Sequence, residues 1–320
     1  RKSLNTNSPT EDQALALLAE LSQKKWLTQR LLTMELIEIS YRDKTTNRVS
    51  VFEADNPNNI ICICLPAMGV RVSYYKTFAN ELATSGNTVI TADWRGHGYS
   101  SQAASFKTDF GYENYVTDLD DLVQFCRQKF PNRKIVLVGH SLGGQIQSLY
   151  ISRFPQNCNQ LVLIAANSVY YKGWDKKTSR KIEMAGIFFY PLSRLLGYFP
   201  GRVIGFGGRE ARTVMKDWTH NLKTGSYKLT NSIFDYDNAL KNATPNILCI
   251  SFENDKLIAP KQAVTNLLNK FSDTATKEHL HFTADQIGIP NLNHFNWAKQ
   301  PTPLVSIINE WIQKTTVNRE

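Results

Sequence analysis

Lys134-Ile135-Val136-Leu137-Val138-Gly139-His140-Ser141-Leu142-Gly143-Gly144 is the stretch on which the reading of this chain turns. Ile135 to Val138 is an unbroken β-branched and aliphatic run, as expected of a strand buried on both faces. It leads straight into Gly-x-Ser-x-Gly, and a helix is predicted over Gln145–Phe154. A strand that turns this sharply into a helix presents the serine hydroxyl at the apex of the turn. So tight a turn leaves almost no room for flanking side chains, which explains Gly139 and Gly143 on either side of Ser141. Gly144 lets the helix pack close to the sheet. The five-residue pattern alone recurs by chance, so Ser141 is a candidate nucleophile only if the rest of the chain supplies partners for it.

Outward from this point the chain alternates strand and helix, the pattern of a mostly parallel sheet flanked by helices. Upstream, strands are predicted at Ile60–Leu65 and Thr88–Ala92, and helices at Tyr74–Ser85, closed by Gly86, and Val116–Phe130. Downstream come a strand at Leu161–Ala165, a strand at Asn246–Phe252, a helix at Pro260–Phe271, a strand at His279–Thr283 and a helix at Thr302–Gln313. Before the alternation, Leu36–Ser40 and Arg48–Glu53 read as a hairpin around Asp43–Asn47. An amphipathic helix is expected over Ala14–Leu32, behind a polar start.

Between Ser168 and about Phe234 no clear strand is visible, and aromatics and glycines crowd together. That break divides the chain into a polar tail and helix (1–35), a first core part (36–167), a lid or cap (168–238) and a second core part (239–320).

The formal charge of +9 is a real excess of base, but Lys and Arg are dispersed and form no long block. A solvated basic surface is the expected meaning, and no nucleic-acid-binding motif accompanies it. The five cysteines show no C-x-x-C and no metal-ligand spacing, and four of them fall on apolar strands or a helix's apolar face. They read as buried thiols of a reducing compartment, so a cytoplasmic location is expected. No apolar run reaches the ~20 residues of a membrane span. The chain begins at Arg1 rather than Met, which leaves a removed leader open.

A serine hydroxyl at neutral pH needs an adjacent base, and the base needs an orienting acid. In a sheet of this kind the chain order is Ser, acid, His, the last two just past strand ends. Asp255 follows the strand Asn246–Phe252, and His294 lies between the following strand and the last helix. Glu253, two residues earlier, is the alternative acid. His140 is expected to point away from the serine. His97 lies in Asp93-Trp94-Arg95-Gly96-His97-Gly98, read as a turn fixed by ionic and hydrogen-bond contacts, and His220, His279 and His281 show no partner pattern. Acyl chemistry also needs donors for an oxyanion. The N–H of Leu142 at a helix start is one. The N–H of Met68, in Pro66-Ala67-Met68-Gly69, is the second, although that segment also reads as an ordinary strand-ending turn.

From about residue 36 to 314 the chain resembles the α/β-hydrolases, and within them a bacterial group related to monoacylglycerol-lipase-like and serine-aminopeptidase-like enzymes. Pro66–Gly69, Asp93–Ser100, Gly139–Gly144, Gly197–Arg202, Asn254-Asp255 and Asn293-His294-Phe295 carry the likeness. It implies Ser141 as nucleophile, His294 as base, Asp255 as orienting acid, Met68 and Leu142 as oxyanion donors, and no cofactor or metal. Pro66-Ala67 stands where lipases and esterases commonly have His-Gly.

The expected function is cleavage of carboxylic esters of an apolar acyl group. Acyl transfer, thioester or peptide cleavage by the same residues, and ligand binding without turnover, are the alternatives. Trp174, Phe188, Phe189, Tyr198 and Phe199 are expected to line the acyl pocket. Lys172, Lys176, Lys177, Arg180 and Lys181 precede the lid's longest apolar run, so contact with an anionic membrane surface is a further expectation. The oligomeric state is not legible.

Overall fold

The chain enters its main sheet through a hairpin, β1 (Leu32–Ser40) pairing antiparallel with β2 (Thr46–Ala54), in a computed structural model that describes residues 32–54 and 56–317. Then follow β3 (Ile60–Leu65), α1 (Lys76–Thr84), β4 (Thr88–Ala92), α2 (Tyr112–Lys129), β5 (Lys134–His140), α3 (Leu142–Arg153) and β6 (Gln160–Ile164). Between β6 and the next strand of the main sheet come α4 (Lys176–Leu196), β7 (Phe199–Pro200), α5 (Gly201–Ile204), β8 (Arg209–Glu210), α6 (Arg212–Thr224) and α7 (Tyr236–Asn242). The chain ends with β9 (Asn246–Phe252), α8 (Lys261–Leu268), β10 (Thr276–Phe282), α9 (Ala284–Ile287) and α10 (Thr302–Val317).

The eight-stranded sheet has the order β1-β2-β4-β3-β5-β6-β9-β10. Both of β2's pairings are antiparallel and every other pairing is parallel. The central strands β3, β4, β6 and β9 are buried along their whole length, as is β5 beyond Lys134. That is why they read as continuous apolar runs and not as alternations: helices cover both faces. Ser141, at the end of β5, therefore sits near the middle of the sheet.

The predicted boundaries shift where packing decides them. Leu32, placed at the end of the expected N-terminal helix, instead opens β1, and the rest of that helix lies outside the described residues. Helix α2 starts at Tyr112 and not at Val116, because Tyr112 and Tyr115 are both buried and the Asn114 side chain accepts the Gly111 N–H. Val72–Tyr75 is a 3₁₀ turn ahead of α1. Strand β10 begins at Thr276, three residues before the predicted start. The segment expected to contain no strand carries two short ones, β7 and β8, paired antiparallel. All five cysteines are buried free thiols, and burial pushes Cys126 and Cys158 up to about 12, so none is primed for reaction.

Candidate active site

Ser141 occupies the turn between β5 and α3 at φ 53° and ψ −115°, a backbone conformation that residues with a side chain rarely adopt. Its N–H donates to the Ile164 carbonyl at 3.0 Å, and its own carbonyl accepts from Gly144 and Gln145 at 3.1 and 3.2 Å, so the turn is held from both sides. A Cβ at Gly139 would overlap the Gly144 backbone, and one at Gly143 would overlap the Leu65 carbonyl. Both glycines are thus required by close backbone approach.

Asp255 follows β9 in a turn closed by its N–H on the Phe252 carbonyl. One carboxylate oxygen accepts the Ala259 N–H at 3.1 Å, and the other lies 2.6 Å from His294 Nδ1. Both side chains are buried, and Trp297 Nε1 donates to the His294 carbonyl at 3.0 Å. Glu253, the alternative acid, pairs instead with His281 Nε2 at 2.8 Å, and that contact lowers its pKa. His281 therefore has the partner that its sequence context did not suggest.

Ser141 and His294 line one cavity of about 370 Å³, together with Ala67, Met68 and Leu142. Among the described residues neither the Met68 nor the Leu142 N–H has an acceptor, whereas the Ala67 N–H is taken by the Tyr75 hydroxyl at 3.2 Å.

Tyr75 and His140 are buried participants that the sequence reading missed. Tyr75 accepts the Ala67 N–H and donates to His140 Nδ1 at 2.6 Å. The His140 ring packs 4.7 Å from that of His294, centroid to centroid. Burial first, and repulsion by His294 second, hold the His140 pKa well below its ordinary value, so the ring is neutral. The pair connects the loop before Met68, the residue before Ser141 and the ring of His294. Tyr75→Phe strands the Ala67 N–H and His140 Nδ1 in a buried place, and should destabilise the fold by about 1–3 kcal/mol in urea titration.

The cavity wall corrects the aromatic expectations. Trp174 and Phe189 line it, with Trp174 Nε1 fixed on the Leu257 carbonyl at 2.9 Å. Phe188 is on the opposite side of α4 and exposed. Phe199 is fully buried behind Phe189, its ring 4.7 Å away, and Tyr198 carries the Arg209 guanidinium on its face at 3.6 Å. Helical phase separates the two: Phe188 points about 100° away from Phe189, which turns it out of the cavity and into solvent. Val169, Ile182, Phe206, Trp218 and Ile258 add to the wall. They come from five separate segments, and only their three-dimensional convergence identifies them.

His97 ties the 93–100 turn to β8: its Nε2 lies 3.1 Å from a Glu210 oxygen, and the other Glu210 oxygen accepts the Gly208 N–H at 2.7 Å. Burial alone would depress the His97 pKa, but Glu210 overrides it and the net direction is upward. A raised folded-state pKa gives stability that is full below the ordinary imidazole value and is lost as pH rises through the raised one. The melting advantage of wild type over Glu210→Gln should accordingly shrink as pH is increased across that window. In the same turn Asp93 accepts the Val72 N–H at 2.8 Å and Trp94 Nε1 donates to the Pro66 carbonyl at 2.9 Å, which bears out the structural reading of this motif.

A family model described as alpha/beta hydrolase fold matches residues 60–281. Lysophospholipase L2 of Escherichia coli strain K12 is 31% identical over 118 residues, 36% of this chain and 34% of that protein, so the match spans about a third of the relative's length. A probable alcohol acetyltransferase of Cyberlindnera fabianii is 23% identical over 260 residues, covering 76% of this chain and 67% of that one. The esterase domain from a Rhodothermus marinus protein has the same fold, with a TM-score of 0.58 at 11% identity over 88% of this chain and 98% of that domain.

Proposed function

The chain belongs to the α/β-hydrolase fold family, and from that premise we propose that it is a serine hydrolase of carboxylic esters with apolar acyl groups. The observation that carries this reading is the buried 2.6 Å contact between His294 and Asp255 at the wall of the cavity that Ser141 also lines. In the mechanism, Ser141 Oγ attacks the ester carbonyl while His294 Nε2 takes its proton. Asp255 holds the proton on His294 Nδ1 and stabilises the imidazolium. The negative oxygen of the tetrahedral intermediate receives the N–H groups of Leu142 and Met68, the former at the start of α3, where the helix dipole favours negative charge. His294 then protonates the departing alkoxide and the alcohol leaves. Water, deprotonated by the same His294, attacks the acyl-enzyme, releases the acid and restores Ser141.

Residues 168–238 act as the lid of this site, since Trp174, Ile182, Phe189, Phe206 and Trp218 supply its apolar roof. The test is covalent labelling by an alkyl fluorophosphonate, followed by peptide mapping. Wild type takes up one label, at Ser141, with loss of p-nitrophenyl ester turnover, and Ser141→Ala takes up none. Equal labelling of the two proteins would end the reading. Acyl transfer to an alcohol is a second reading, favoured by the long match to the probable alcohol acetyltransferase. Formation of a new ester when ethanol is added to the assay separates transfer from hydrolysis.

A further inference from the structure

Helix α4 has two apolar faces, and the proposed site uses only one. Ile182, Ala185 and Phe189 face the cavity. On the other side Met184, Ile187, Phe188, Pro191 and Leu195 form a continuous exposed stripe at the three- and four-residue spacing of one helix face, with Leu195 73% exposed. Val203, 88% exposed on α5, adds to the apolar surface of the same segment. An apolar run of this length left in water is unusual in a soluble monomer and marks an interaction surface.

Charge identifies the partner. One turn earlier on the same face of α4, Lys176, Lys177, Arg180 and Lys181 are all exposed, and Arg194 and Arg202 flank the apolar part. Glu183 is the one acidic side chain on α4. A second copy of the chain fits this face poorly. An antiparallel pairing would set the cations of one helix on the apolar half of the other, and a parallel pairing would set cation against cation. An anionic lipid surface satisfies both halves at once: lipid phosphates meet the basic turns, and the apolar stripe enters the boundary between headgroups and acyl chains. No helix among the described residues is long and apolar enough to cross a membrane, and docking in the plane of the surface requires none.

We propose that the outer face of α4, with Val203, docks this protein on anionic lipid surfaces. The inference rests on the ester-hydrolase reading in one respect: docking there would bring lipid-borne esters to the cavity. Ile204 and Leu257 mark the route, because each lines the cavity and is also exposed, Leu257 by 69%.

The test is co-sedimentation of the full chain with vesicles of phosphatidylcholine, with and without phosphatidylglycerol, at low and high salt. Wild type should bind the phosphatidylglycerol vesicles at least about tenfold more tightly, and added salt should remove most of that preference. Lys177→Glu with Lys181→Glu should abolish the preference. Met184→Asp with Leu195→Asp should weaken binding to both vesicles. Both double variants should keep wild-type melting temperatures and wild-type turnover of a water-soluble p-nitrophenyl ester. Equal binding of wild type to the two vesicles, or no binding, overturns the proposal. So does a concentration-dependent dimer in light scattering that the Met184/Leu195 variant loses, because the face would then be a self-contact. Vesicle binding by a wild type that hydrolyses no ester would refute the ester reading and leave the docking face standing.

Discussion

Asp255→Asn should lower kcat/KM for a soluble ester about 10,000-fold while leaving the melting temperature nearly unchanged. The reason lies in what each oxygen of Asp255 does. One accepts the Ala259 N–H at 3.1 Å, and the other accepts from His294 Nδ1 at 2.6 Å. Asparagine has one acceptor and one donor for two partners that both donate. If its carbonyl stays on Ala259, its amide donates to His294 Nδ1, and the ring must carry its proton on Nε2, where it cannot take the serine proton. If it flips, two N–H groups meet at Ala259. The first arrangement is the cheaper one, so the variant should fold, fail to turn over, and react with the fluorophosphonate much more slowly than wild type. Rescue by Glu253 is not expected, because that carboxylate is committed to His281. A loss smaller than about tenfold would refute the assignment of Asp255 as orienting acid.

Arg95→Met should cost about 3–5 kcal/mol of folding stability at pH 7.5, the largest loss expected from a single change outside the site. Arg95 is buried, donates from two nitrogens to Asp118, one of them at 2.9 Å, and reaches Thr45 at 2.7 Å and Asp43. It thereby fastens the β1–β2 turn and the turn after β4 to α2. Asp118 is buried as well, and desolvation raises its pKa to about 6 even with Arg95 beside it. Removing the guanidinium leaves an uncompensated buried carboxylate. The pH dependence carries the signature. A carboxyl whose folded-state pKa is raised is favoured by protonation, so its cost is felt as pH rises through that value and is relieved below it. The loss measured by urea unfolding should therefore be smaller at pH 5 than at pH 7.5. Adding Asp118→Asn to Arg95→Met should restore part of the stability. A loss independent of pH and unaffected by the second change would show that packing of the Arg95 stem, and not charge, is what matters.

The sheet strands and the Ser141 turn were legible because their causes are local. Buried parallel strands must be apolar along their length, and a strand-to-helix turn of this tightness admits only glycine at positions 139 and 143. Chain order and strand ends were enough to select Asp255 and His294, two buried residues that the structure brings together. The aromatics between Ser168 and Phe234 were half legible. The sequence marks residues 168–234 as different from the core, but assigning Phe189 inward and Phe188 outward needs the rotational phase of α4, which packing on α6 and β7 sets. Tyr75, His140 and the Glu210–His97 pair were not legible. Their partners lie 65 and 113 residues apart in the chain, and nothing in their own neighbourhoods requires the contact.

The amino-acid sequence by itself thus determined the architecture and the candidate nucleophile, acid and base, because periodicity, glycine sterics and chain order act over a few residues at a time. The tertiary structure alone decided which side chains wall the cavity and which face of α4 remains in water. Those outcomes depend on how distant segments come together in space, and short-range pattern carries no record of that.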